Sequence, residues 1–289
     1  MILITGATGL NGTEVVRCLS ARGVPVRALV RDVRKAHALA QLPGVTVVQG
    51  DMSQPETLRE PLKGVDRAML ISSADPHMAE VQCNFVAAAK EAGVAHVVKL
   101  SGIMPDRDSP FRFARMHGQV ELALEMSGMA YTHLRAGEFM QAYFRQAPAI
   151  IARGSFSLPM ADARIASIDV ADIAQVAAEV LTSDGHAGQC YPLTGSEALS
   201  MSDVAQRLTA VLDRPVQYVD IPSEVYRDGL IAAGVPTFNA DALVELFAER
   251  RKGKESTVHS TAEQLLGRRP TSFAEFAQRN AAVFRGSGG

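Results

Sequence analysis

At 289 residues, with 47% apolar and 21% charged side chains, the chain can build a full core without a disulfide or metal to hold it. Its 29 basic and 31 acidic residues give a formal net charge of -2, which excludes the strong positive field that nucleic acid or an anionic membrane calls for. Three scattered cysteines, Cys18, Cys83 and Cys190, argue for a reducing compartment, and no apolar run approaches the ~20 residues of a bilayer span.

The first predicted strand covers residues 2–5 and lacks the cationic start of a signal peptide, so the cytoplasm is the expected compartment. Further apolar runs at 26–30, 45–49, 67–71, 96–100 and 131–134 alternate with helical patterns at 14–21, 36–42, 56–62 and 78–92. Near-continuous apolar strands between helices indicate a parallel sheet covered on both faces, hence a doubly wound, Rossmann-type α/β fold. After residue 135 the alternation loosens, with a strand at 165–168, a capped helix at 169–181 and a short strand at 190–193. From 202 onward helical patterns dominate, at 203–212, 223–233, 240–252 and 273–284. The expected organisation is a nucleotide-binding domain over 1–150, to which 165–193 returns, and a mostly helical substrate-covering region over 194–285. Residues 286–289 read as a tail outside the fold.

Gly6-Ala7-Thr8-Gly9-Leu10-Asn11-Gly12 lies where the first strand turns into the first helix. Glycines at this spacing allow a tight turn, a close backbone approach to pyrophosphate and close packing of helix on strand. The helix N-terminus adds unpaired N–H groups and a positive dipole end. A dinucleotide is therefore the expected ligand. Its ribose selector should follow the second strand, about 20 residues past the glycines. Val30-Arg31-Asp32 stands there. Arg31 would grip a 2′-phosphate and favour NADP(H); Asp32 as selector would favour NAD instead. Asp51 and Met52, after the third strand, can meet the adenine, unless Asp51 only caps a turn. Ser72 and Ser73, after the fourth, leave room for ribose.

Together with Leu29-Val30-Arg31, Gly50-Asp51, Glu121, Tyr131 to Arg135, Asp169 to Ala174 and Gly234-Val235-Pro236, the glycine loop resembles the NmrA-like group of atypical short-chain dehydrogenase/reductases over nearly the whole chain. The resemblance implies a Rossmann fold and a bound NADP(H). The group holds reductases of dyes and quinones as well as NADP-sensing regulators. Short-chain dehydrogenases commonly use a Tyr-x-x-x-Lys pair and a serine after the fifth strand. Registered on Glu121, those positions fall on Phe113, His117 and the Ser101-Gly102 pair, with Gly102 in the serine position. The chain contains no Tyr-x-x-x-Lys at all. His117 can hold the nicotinamide ribose or relay a proton, or simply pack. Ser101 is the second catalytic candidate, or a strand-end serine bonding backbone.

No HExxH, CxxC or carboxylate-rich loop proposes a metal, and no Gly-x-Ser-x-Gly elbow proposes a serine hydrolase. Phe139, Met140, Tyr143 and Phe144 recur at helical spacing. Phe113, Phe139 and Tyr143 are expected to line an apolar substrate pocket, core packing being the alternative. The resulting expectation is an NADPH-dependent oxidoreductase, monomeric or homodimeric, that passes hydride to a small apolar or aromatic acceptor such as a quinone or dye. An NADP(H)-binding redox sensor without turnover is the alternative.

Overall fold

β1 (Ile2–Ile4) is buried along its whole length at the centre of a seven-stranded sheet in the computed structural model, which describes residues 1–286. The tail expected at 286–289 therefore lies outside the described residues but for Gly286. In chain order follow α1 (Leu10–Ala21), β2 (Val26–Val30), α2 (His37–Ala40), β3 (Val45–Gln49), α3 (Arg59–Leu62), β4 (Arg67–Leu70), α4 (Met78–Glu91), β5 (His96–Gly102), α5 (Arg112–Glu125) and β6 (Ala130–Ala136). The chain continues through α6 (Ala147–Arg153), β7 (Ser155–Leu158), β8 (Arg164–Ile165), α7 (Val170–Thr182), β9 (Gln189–Leu193), β10 (Leu199–Ser200) and α8 (Met201–Leu212). It ends through β11 (Gln217–Asp220), α9 (Ser223–Ala232), α10 (Thr237–Arg251), α11 (Thr261–Leu266), α12 (Phe273–Arg279) and α13 (Ala281–Arg285).

The main sheet is parallel, in the order β3-β2-β1-β4-β5-β6-β9, which is the doubly wound arrangement. Its central strands are apolar on both faces and must be covered on both. Leu3, Leu29, Leu70 and Val97 of the strands meet Leu58, Leu62, Phe85 and Val120 in one core. Each such leucine or phenylalanine contributes about 1.5–3 kcal/mol by leaving water. Among the described residues, no helix is long and apolar enough to cross a membrane.

The chain divides into two compact units. The first comprises Met1–Ser109, Phe113–Ala136 and Val170–Pro192; the second comprises Pro110–Arg112, Gly137–Asp169 and the chain from Leu193 onward. The first unit therefore ends at Ala136 rather than near residue 150, and the chain rejoins it at Val170 rather than 165. The reason is where the side chains go. Met140, Tyr143, Ala147 and Ile150 are buried with Phe156, Leu208, Phe273 and Phe276 in the core of the second unit. The segment expected as a strand at 165–168 pairs only at Arg164–Ile165, with β10, while Ile168 makes a lone bridge to Phe139. The helix expected at 273–284 is two, because Asn280 interrupts it and its amide donates to Phe276 O at 2.8 Å.

The second unit carries a buried ion cluster. Arg250 of α10 is 3% exposed and bonds both Glu255 and Glu138. Burial pushes the Glu255 carboxyl above its ordinary value, and the pull of Arg250 only partly offsets that. Arg250→Met removes the positive charge from buried Glu255 and half-buried Glu138 and should cost about 3–5 kcal/mol, seen as a fall in Tm. Without the guanidinium the Glu255 carboxyl rises further, and a raised folded-state pKa favours the fold at low pH. The deficit should therefore be larger at alkaline than at mildly acidic pH. An unchanged Tm at alkaline pH would show that the cluster does not hold the unit together.

Candidate active site

Between β1 and β4 the order of the sheet reverses, and ligands of open α/β sheets bind beyond the strand ends at such a point. Thr5 ties the two strands there: its hydroxyl donates to Ile71 O and accepts from Ile71 N, both at 2.7 Å. Gly6 follows in the left-handed region, at φ 57°, and a Cβ on it would lie 2.9 Å from Ile71 O. Gly9 N donates to Gly6 O and Thr13 N to Gly9 O, each at 2.9 Å, which closes the turn and starts α1. A Cβ on Gly12 would come within 2.2 Å of Gly6 O, so only glycine lets the helix rest on the turn. α1 has no side-chain cap and no acid in its first turn. Its leading N–H groups and positive dipole end are left for an anion, beside exposed Thr8 and Leu10. Asn11 is buried with its Oδ1 unpaired. These are the features of a cradle that fits a pyrophosphate.

Beyond β2 the two candidate selectors differ sharply. Both oxygens of Asp32 accept from the Arg34 guanidinium at 2.9 Å, and Oδ1 also caps the turn at Arg34 N. The Arg34 side chain thereby holds the Asp32 carboxyl below its ordinary pKa. Arg31 is exposed, and its guanidinium bonds no group among the described residues. Asp51 uses Oδ1 to accept from the Ser53 backbone and hydroxyl, as a turn cap does. Met52 packs on the core of the first unit. Ser72 accepts from Gln82 at 2.8 Å, and Ser73 is exposed.

At the ends of β5 and β6 the chain assembles a group of charges. Phe113, His117 and Glu121 recur at four-residue spacing along α5 and so share a face. Glu121 accepts from Arg135 of β6 at 3.2 and 2.6 Å. Burial alone would raise the Glu121 carboxyl, but Arg135, with His133 and Ser101, outweighs it and holds it below its ordinary value. His117 Nδ1 lies 2.9 Å from Lys99 Nζ. Burial and the Lys99 charge hold the His117 imidazole well below its ordinary pKa, so it is neutral near pH 7. Ser101 is buried, 3.3 Å from Lys99 Nζ. Lys99 itself escaped the sequence reading. Its signal was there: a lysine inside the apolar run Val97-Val98-Lys99-Leu100 of a strand covered on both faces.

Residues 140–146 form a 3-10 rather than an α-helix, and their aromatic rings pack inward. Tyr143 meets Phe273 edge to face at 5.0 Å and Phe144 stacks on Phe276 at 5.4 Å. Tyr143 also lines a small open pocket with Met160, Met201, Tyr226, Phe247 and Arg250. Of the three aromatic residues expected at a substrate pocket, it alone lines this one.

A glycine cradle at the switch point of a doubly wound parallel sheet defines a dinucleotide-binding α/β protein. The chain belongs to the NmrA-like family, whose model matches residues 1–277. It is 40% identical to an NAD(P)H azoreductase of Xenophilus azovorans over 284 residues, covering 98% of this chain and 99% of the relative. Among solved structures it is similar to an NADPH-dependent quinone oxidoreductase of Escherichia coli complexed with NADPH. That match has a TM-score of 0.90 and 34% identity, and covers 97% of this chain and 100% of the other. The triphenylmethane reductase of Citrobacter sp., complexed with NADP(H), matches with a TM-score of 0.86 and 27% identity over 97% of this chain and all of its own.

The geometry separates the roles of two glycines. Gly12→Ala forces a methyl into Gly6 O and should cost about 1–3 kcal/mol even without ligand. A Cβ on Gly9 would lie 3.2 Å from its nearest neighbour, Gly6 O. Gly9→Ala should therefore stay within about 0.5 kcal/mol of the parent in Tm measurements on ligand-free protein. A Gly12→Ala protein as stable as the parent would contradict this account of the turn.

Proposed function

We propose that the chain is an NADPH-dependent reductase that passes hydride to a flat, conjugated acceptor such as a quinone or dye. It would be an atypical short-chain dehydrogenase/reductase without the Tyr-x-x-x-Lys pair. Bound NADPH would supply the hydride. The observation that carries the acceptor class is the pairing on α5 of Phe113 with a neutral His117. A phenyl group cannot give a proton to a forming alkoxide, so a simple ketone has no tyrosine-type acid at that position. A quinone spreads the added charge over its own π-system, so a weaker proton donor than a tyrosine suffices, and a cationic dye, whose positive charge the hydride cancels, needs none. The similar proteins fit this pattern, being an azoreductase, a quinone oxidoreductase and a triphenylmethane reductase.

In this reading Gly6, Thr8, Gly9, Leu10, Asn11 and Gly12 hold the pyrophosphate. Arg31 holds the 2′-phosphate, a role supported by its free guanidinium and by the commitment of Asp32 to Arg34. Asp51, Met52, Ser72 and Ser73 flank the adenosine and ribose, and His117 meets the nicotinamide side.

Two measurements test the reading. NADPH should raise the Tm more than NADH at equal concentration, and Arg31→Ala should weaken NADPH by about 1.5–3 kcal/mol while barely touching NADH. Equal affinity for both cofactors in the parent would remove Arg31 from the role. NADPH consumption with matched panels should be fast for quinones and cationic dyes and slow for simple ketones. Fast ketone turnover would mean that a proton donor lies elsewhere. Tight NADPH binding with no turnover on either panel would make the chain a redox sensor.

A further inference from the structure

Lys99 is fully buried in the middle of β5, and no carboxylate is bonded to it. Its Nζ has three neighbours instead: Leu100 O at 3.3 Å, Ser101 Oγ at 3.3 Å and His117 Nδ1 at 2.9 Å. An ammonium has three donors and no acceptor, so its protons match these three acceptors one to one. That match requires Nδ1 of His117 to be unprotonated, which places the imidazole proton on Nε2. The ring lies against the backbone of Gly102 at the C-terminal end of β5: a Cβ there would be 3.0 Å from Cδ2 and 3.4 Å from Nε2. Gly102 is thus the residue that leaves room for the imidazole, at the strand ends where such sheets bind their ligands.

We propose that Lys99 is the proton reservoir of the reductase, fixing His117 as the Nε2–H tautomer and refilling Nδ1 as Nε2–H protonates the reduced acceptor. The proposal rests on the reductase reading above. A quinone that has accepted hydride carries one negative charge on oxygen. The Nε2–H bond breaks as the acceptor's O–H bond forms, and the Nζ–H bond breaks as Nδ1–H forms. Quinone, hydride and one proton together make the hydroquinone, and Lys99 is left as the neutral amine. When the product leaves, water returns a proton to Nε2, Nδ1 gives its own back to Nζ, and the starting state is restored. His117 would touch the acceptor; Lys99 acts through it.

The surroundings let Lys99 release a proton near neutrality. Facing it are Cys83 from α4, His117 and Glu121 from α5, and His133 and Arg135 from β6. Burial is the largest influence and, with Arg135, pulls Lys99 down to about 7 against the opposing pull of Glu121 and Cys83. The ammonium predominates below that pH and the amine above it.

The test compares acceptors that differ in proton demand, using the whole protein with NADPH. A quinone needs a proton; a cationic triarylmethyl dye becomes neutral on taking hydride and needs none. In the unaltered protein, quinone kcat should fall as pH rises through about 7 while dye kcat does not follow it. Lys99→Met should lower the ratio of quinone to dye turnover about 10²-fold, the lower end of general-acid contributions, and abolish the pH break. Lys99→Arg keeps the charge and the donors but does not release a proton, so it should leave the ratio low. Parallel pH profiles for the two acceptors in the unaltered protein, or an unchanged ratio in either variant, would overturn the proposal. An unaltered protein inert to both acceptors would overturn the reductase reading instead.

Discussion

The first turn of α1 lies against the backbone of the loop that leaves β1, and this contact organises the nucleotide end of the molecule. Gly12 touches Gly6 where a methyl group would overlap its carbonyl oxygen, while Thr5 and Ile71 lock the strands on either side of the switch point. Close packing of backbone on backbone leaves no side chain over the leading amides of the helix. The amides therefore remain available to an anion without moving. Stability and ligand binding make the same demand here, which is small residues.

A different balance operates at the ends of β5 and β6. Glu121 and Arg135 satisfy each other, and Glu125 takes His133 Nε2 at 3.1 Å. The nearby Lys99 has no such anionic partner, and its charge is carried by three neutral acceptors instead. A lysine paired with a carboxylate would hold its proton tightly; one solvated by neutral dipoles in a buried place holds it loosely. The same group keeps His117 neutral, because an imidazolium beside an ammonium is costly where little water reaches. The Tyr-x-x-x-Lys pattern puts its lysine on the helix, whereas Lys99 stands on β5.

The second unit buries charge for another purpose. Arg250, Glu138 and Glu255 pair inside an aromatic and methionine-rich core, where each charge is tolerable only because the others are present. Asp169, also fully buried, is held by Gln141 and Arg279 in the same unit. These two partners come from 28 and 110 residues away in the chain.

Local pattern was enough for the doubly wound sheet and the glycine turn. Both depend on periodicity or on residues within one turn of each other: apolar strand runs and glycines at fixed offsets. The choice between Arg31 and Asp32 stayed open in the sequence because it turns on which side chain is already engaged. The 3-10 turn after β2 folds Arg34 back onto Asp32, and that engagement is visible only in the tertiary structure. The change of unit at Ala136 was illegible for a similar reason. The aromatic residues after it look alike whether they face a ligand or a core, and only the rings of Phe273 and Phe276, far along the chain, show that they pack. Lys99 is the clearest case. Its residue type and its strand were readable, but a proton's whereabouts depends on distances between β5 and α5, and only the tertiary structure brings an amine, an imidazole and a bare glycine backbone to one place.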